Sequence, residues 1–198
     1  KVAAFAGGIN LGQGVCDLDM PKELRAAAVD SLYRERATYT PFAGIKELRK
    51  AIADRTSARY GLTYGEDEIC VTVGSSMAYV AAVTTLCDPG DEVVLFEPFY
   101  PYHRAAALLA GCVVRPVRLD ASGVDWAGLE KAITPRTRIV VVNTPSNPFG
   151  TVWTRADLDR LAAIVAKSDA VVVTDEIYED LVYDGSVHVP PATLPSLY

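Results

Sequence analysis

The sequence predicts an α/β fold: three layers, with helices on both faces of a mainly parallel sheet. Three observations carry this. From residue 68 onward, short runs rich in Val and Ile alternate with segments of helical period. Those runs are near-continuously apolar, as strands covered on both faces must be. Breakers such as Asp88-Pro89-Gly90-Asp91 fall at the junctions.

Taken in order, residues 1–20 form a Gly-rich opening, with Gly7, Gly8, Gly12 and Gly14 around Ile9 and Leu11. A helix is predicted from Pro21 to Arg36, capped by Asp19 with Pro21 in its first turn. Its stripe is Leu24, Ala28 and Leu32. A loop, Thr38 to Gly44, leads to a second helix with Ile45, Leu48, Ile52 and Arg55 down one side, ending near Gly61. The predicted strands are Glu68–Val73, Glu92–Phe96, Val113–Leu119, Arg138–Asn143 and Ala170–Thr174. Helices are expected between them at Ser76–Cys87, Tyr102–Ala110, Asp125–Ala132 and Arg155–Lys167. The last has Thr154 as cap with Asp157 three residues on, and Leu158, Leu161, Ala162 and Val165 on one face.

Composition narrows the function classes. The chain has 198 residues, 50% hydrophobic and 22% charged, which is globular rather than disordered. Its net charge of −6 argues against nucleic-acid or anionic-membrane partners. Apolar runs such as Val171-Val172-Val173 are too short to span a bilayer, and no leader pattern opens the chain, so a cytoplasmic protein is expected. The four cysteines, Cys16, Cys70, Cys87 and Cys112, form no C-x-x-C pair, and His103 and His188 lie far apart. A zinc site is therefore not expected, no spacing supports a Cys–His nucleophile, and the thiols read as small buried groups in a reducing compartment.

In open α/β sheets ligands collect at the carboxyl ends of strands, where this sequence concentrates its polar punctuation. Gly74-Ser75-Ser76 opens a helix whose free N–H groups suit a phosphate. It is neither a Walker A loop nor G-x-G-x-x-G, so a nucleotide is the weaker reading. Tyr100 offers a ring face for stacking, against a role in local packing. Asn143 to Pro148 supplies amides at a proline-bracketed turn. Asp175, at a strand terminus, needs a cationic partner if buried. Each could be a plain strand-to-helix turn; four on one edge point to a shared site. A phosphate, a flat ring, a phenolic oxygen and a ring cation together describe pyridoxal phosphate.

Six stretches run in order along the chain: Asn10-Leu11-Gly12-Gln13-Gly14, Tyr39-Thr40-Pro41-Phe42-Ala43-Gly44-Ile45-Lys46-Glu47-Leu48-Arg49 and Val71-Thr72-Val73-Gly74, then Pro89-Gly90-Asp91-Glu92-Val93, Asn147-Pro148-Phe149-Gly150 and Asp175-Glu176-Ile177-Tyr178. On these stretches the chain resembles the class I/II aminotransferases, pyridoxal-phosphate enzymes of fold type I. Glu97-Pro98-Phe99-Tyr100 and the stretch from Asp175 to Pro195 are most similar to the branch acting on kynurenine, glutamine and methionine. The resemblance implies transfer of an amino group from an amino acid to a 2-oxo acid, with pyridoxal 5'-phosphate as cofactor. It implies that Asp175 holds the ring nitrogen, that Tyr178 and Asn147 meet the phenolic oxygen, and that Tyr100 stacks on the ring. Gly74, Ser75 and Ser76 would bind the phosphate, and Tyr39 would reach the phosphate of the neighbouring subunit of a homodimer. Gly14 would contact the substrate carboxylate. Residues 1–20 would belong to the family's small domain and 21–198 to an incomplete large cofactor-binding domain.

Cys16 and Phe149 stand where the family commonly has proline and threonine. More consequentially, Lys1, Lys22, Lys46, Lys50, Lys131 and Lys167 all precede Asp175, whereas the family's Schiff-base lysine follows it in a Ser-x-x-Lys turn. The expectation is a piece of a longer enzyme, inactive by itself. Two alternatives share these residues: a β-elimination lyase with the same cofactor, and a ligand-sensing domain of a regulator.

Overall fold

The structure is a computed structural model that describes residue 14, residues 18–35 and residues 37–197. The readings made on residues 1–13, Cys16 and Arg36 lie outside the described residues. The chain divides into two compact units, Lys1–Thr40 and Pro41–Tyr198.

In the first unit, helix α1 spans Lys22–Arg34 and none of its residues is buried. Its N-cap is Pro21 rather than Asp19: Pro21 is extended, at φ −50° and ψ 139°, and no side chain caps the helix. Proline has no side-chain acceptor to offer the free N–H groups of the first turn.

The second unit holds the sheet. Helix α2 (Lys46–Tyr60) ends where expected, at Gly61, which takes the left-handed conformation at φ 67°. Then come α3 (Gly74–Leu86), β1 (Glu92–Glu97), α4 (Pro101–Leu109) and β2 (Val113–Asp120). They are followed by β3 (Gly123–Val124), α5 (Trp126–Ala132), β4 (Thr137–Asn143), α6 (Arg155–Val165) and β5 (Val171–Asp175). The sheet order is β3-β2-β1-β4-β5, parallel except for the short β2–β3 hairpin.

Pleating divides the strands between two cores. Val94, Phe96, Val140 and Val142 face one way and pack with Leu129 of α5 and with Leu158 and Leu161 of α6. Val93, Leu95, Ile139 and Val141 face the other way and pack with Tyr79 and Val83 of α3 and Ala106 and Ala107 of α4. This is the expected three-layer arrangement. Thr154 and Asp157 form the predicted capping box: Thr154 N–H donates to Asp157 Oδ2 at 3.0 Å, and Asp157 N–H to Thr154 Oγ1 at 3.2 Å.

One predicted strand is absent. Residues 66–68 make a single 3-10 turn and 69–73 run without sheet pairing. A β-favouring composition does not make a strand without a neighbour, and Val71 N–H instead donates to Ala43 O at 2.9 Å. That contact is close-fitting: Gly44 sits at φ +98°, and a Cβ there would lie 2.7 Å from Val71 Cγ2. The hairpin strand β3, by contrast, was not predicted; two residues are too few to show a period.

Candidate active site

The carboxyl ends of β1, β4 and β5 share one edge, because parallel strands in this register end together. Asn143 and Asp175 are register partners on β4 and β5. Asn143 joins the ends firmly: its Nδ2 donates to Asp175 O at 3.0 Å, and its Oδ1 accepts from Asn147 N–H at 2.7 Å.

At this edge Ser75, Tyr100, Asn147, Asp175 and Tyr178 line a cavity of about 60 Å³. A neighbouring cavity of about 190 Å³ is lined by Ser75, Ser76, Tyr79, Tyr100, His103 and Asp175. The structure thus brings together, within the second unit, Ser75, Ser76, Tyr100, Asn147, Asp175 and Tyr178. Gly74 stands beside them as the first residue of α3, at φ +78° with open space where a Cβ would be. Helix α3 has no side-chain cap and no acidic residue in its first turn; Gly74 N–H donates to Thr72 O at 2.9 Å, which leaves the N–H groups of Ser75 and Ser76 and the positive dipole end available to an anion. Gly14 and Tyr39 belong to the first unit and are exposed, Tyr39 completely.

The carboxylate is the centre of the site's electrostatics. Asp175 Oδ2 lies 3.0 Å from His103 Nε2, and a carboxylate only accepts, so His103 donates. The His103 side chain is 5% exposed and that of Asp175 16%. Asp175 Oδ1 accepts from Ile177 N–H at 3.3 Å. The His103 ring is wedged between Tyr79 (centroids 4.7 Å apart) and Tyr100 (5.5 Å, edge-on). Tyr79 has a buried hydroxyl without a partner among the described residues, and burial pushes its pKa well above the usual phenol range. Across the cavity Asn147 Nδ2 approaches the Tyr178 hydroxyl at 3.5 Å.

Sequence reasoning missed His103 and Tyr79. His103 was weighed only as a metal ligand or nucleophile partner; its place three residues after Tyr100 in the apolar helix α4 was the available signal. Tyr79 lies one helical turn beyond Ser75 and Ser76 on α3, so it shares their end of the helix. No described lysine lines either cavity.

The family described as aminotransferase class I and II matches residues 6–195. The chain belongs to that family. Among curated class I and II aminotransferases it is 36% identical over 192 residues to the methionine aminotransferase of Escherichia coli, covering 96% of this chain and 50% of that one. It is 36% identical over 190 residues to the aspartate/prephenate aminotransferase of Thermus thermophilus, covering 94% and 49%. The solved structure of the Mycobacterium tuberculosis N-succinyldiaminopimelate aminotransferase matches with a TM-score of 0.88 at 39% identity, covering 96% of this chain and 51% of that one. The crystal structure of the Escherichia coli methionine aminotransferase matches with a TM-score of 0.91, covering 96% and 51%. The chain spans about half the length of the curated relatives it matches. The fold is that of the fold type I aminotransferases.

Proposed function

We propose that the protein to which this chain belongs transfers an amino group from an amino acid to a 2-oxo acid, with pyridoxal 5'-phosphate held at the carboxyl edge of the sheet. The observation that carries this is the meeting of a half-buried, His-backed carboxylate with an uncapped helix N-terminus and an aromatic ring around one cavity. These residues fit the cofactor. The first turn of α3, with Gly74, Ser75 and Ser76, offers donors for a dianionic phosphate. Tyr100 offers a ring face, and Asp175 a fixed negative charge for a protonated ring nitrogen. Asn147 and Tyr178 offer donors to a phenolic oxygen. When bound, the cofactor supplies an electron sink for the substrate's α-carbon. Asp175 keeps the ring nitrogen's proton in place, and His103 keeps Asp175 in place. The apolar floor beneath them limits water and so strengthens both contacts.

We extend the reading to a homodimer in which Tyr39 reaches the partner's phosphate and Gly14 meets the substrate carboxylate through its backbone. The free thiols Cys70, Cys87 and Cys112 support a reducing, cytoplasmic setting. The names of two relatives carry methionine and aspartate/prephenate, which supports the general class of amino acid and 2-oxo acid. The test is Asp175→Ala in the full-length protein. Loss of a buried charge partner of about 3–5 kcal/mol predicts amino transfer reduced by two to three orders of magnitude or more, with weakened cofactor binding. Near-parental turnover would remove Asp175 from its role.

A further inference from the structure

The turn that carries Tyr178 has little to hold it from within. Among the described residues, the Tyr178 hydroxyl has only the 3.5 Å approach of Asn147 Nδ2. The turn's own bonds are Glu179 N–H to Glu176 O at 2.9 Å and Leu181 N–H to Tyr178 O at 2.8 Å. A segment with so few internal contacts opens readily unless it is fastened from outside. The fastening comes from α2, some 120 residues earlier in the chain. Arg59 Nη1 donates to Glu179 Oε1 at 3.3 Å, Arg55 Nη2 lies 3.5 Å from the same oxygen, and the Tyr60 hydroxyl donates to Glu179 Oε2. Arg59 also pairs with the neighbouring Asp180. The Glu179 side chain is 21% exposed, so these contacts are partly shielded from water. On the other flank, Glu176 is held by Thr174 Oγ1 at 2.8 Å and His188 Nε2 at 2.7 Å.

We propose that Glu179, clasped by Arg55, Arg59 and Tyr60 of α2, is the positioning residue that sets the place of Tyr178 at the site. This rests on the reading that Tyr178 contacts the cofactor. The clasp acts on the backbone one residue away, so its loss moves the phenol relative to Asn147 without removing any group that touches the cofactor. Burial and the Glu179 contact push the Tyr60 hydroxyl's pKa up to about 12, so it stays a donor across the working pH range.

The experiment compares Glu179→Gln, Arg59→Gln, Tyr178→Phe and the Glu179→Gln/Tyr178→Phe double variant in the full-length protein. Amide hydrogen exchange of residues 178–181 is read without cofactor, and pyridoxal phosphate dissociation by equilibrium dialysis. Glu179→Gln is expected to speed exchange about tenfold or more and to weaken cofactor binding several-fold. Arg59→Gln, which leaves Arg55 and Tyr60 on Glu179, gives a smaller change of the same kind. In the Tyr178→Phe background the Glu179 change adds less than about twofold, because coupled residues are non-additive. Faster exchange with unchanged binding overturns the proposal, as does an undiminished Glu179 effect in the double variant. Tyr178→Phe binding the cofactor like the parent overturns the Tyr178 assignment itself. A clear Tyr178→Phe loss beside a parental Glu179→Gln overturns the clasp alone.

Discussion

Replacing His103 by phenylalanine isolates one bond. The ring would still fill the slot between Tyr79 and Tyr100, whose centroids lie 4.7 and 5.5 Å from that of His103. What is lost is the 3.0 Å donation to Asp175 Oδ2. A hydrogen bond to a charged group contributes about 1.5–3 kcal/mol. At about 1.4 kcal/mol per decade this is a loss of roughly 10- to 150-fold in whatever depends on a fixed Asp175. The upper part of the range is expected, because both side chains are largely buried and no other side chain donates to that oxygen among the described residues. Pyridoxal phosphate dissociation by dialysis and kcat/KM for amino transfer, both in the full-length protein, provide the measurement. His103→Gln, which keeps a donor amide, should recover part of the loss. A phenylalanine variant within twofold of the parent in both quantities would refute the reasoning, since the bond would then contribute nothing to holding the carboxylate.

Two further outcomes follow from groups away from the cavity. Glu92 is fully buried and is held by Arg115 (2.6 Å), Arg136 (2.8 Å) and Thr134 (2.7 Å). These contacts, the Arg115 bond foremost, lower its pKa from 4.5 to about 2. The full shift corresponds to about 3 kcal/mol, and the exposure of both guanidinium groups brings the expectation to about 1–2 kcal/mol. Because the folded pKa is the lower one, this stability is present above about pH 4.5 and is lost as the pH falls toward 2. Denaturant unfolding of Glu92→Gln should therefore show its largest deficit at neutral pH, and a deficit constant with pH would contradict the assignment. Burial pushes the Cys87 thiol up to about 12 and raises Cys112, while Cys70 is exposed. Iodoacetamide at pH 8 should label Cys70 at least about 100-fold faster than either of the others by peptide mapping; equal rates would show that the α3–α4 face is open.

What was legible in the sequence was whatever neighbouring residues decide. The capping box at Thr154, the helix stop near Gly61 and the strand ends, expected at Phe96, Asn143 and Thr174 and found at Glu97, Asn143 and Asp175, are all signalled locally, and the site's main residues sit at or just beyond those ends. The segment 68–73 misled for the complementary reason. Its composition suits a strand, but pairing depends on a neighbour that local sequence does not reveal. His103 escaped because its partner is 72 residues away, and the Glu179 clasp because it joins residues about 120 apart. Family resemblance reached Asp175 and Tyr178 through their motif, but not the groups that hold them.

Strand β1 carries a different kind of chemistry at each end. Glu92 and its two arginines close one end, and beyond Glu97 the chain turns to Tyr100 and the cavity. At a rise of about 3.3 Å per residue, the ends stand roughly 17 Å apart, beyond the screening length of physiological salt. The residual single positive charge of the Glu92 cluster then shifts energies at the far end by about 0.2 kcal/mol through water and about 1 kcal/mol at the effective dielectric of a protein interior. Robustness and reactivity are therefore separately adjustable along a single strand. Substitutions around Glu92, Thr134 and Arg136 can drift or be engineered for thermal tolerance with little effect on the edge proposed to hold the cofactor. Changes in substrate preference, in turn, can accumulate at that edge while the opposite end keeps the sheet intact.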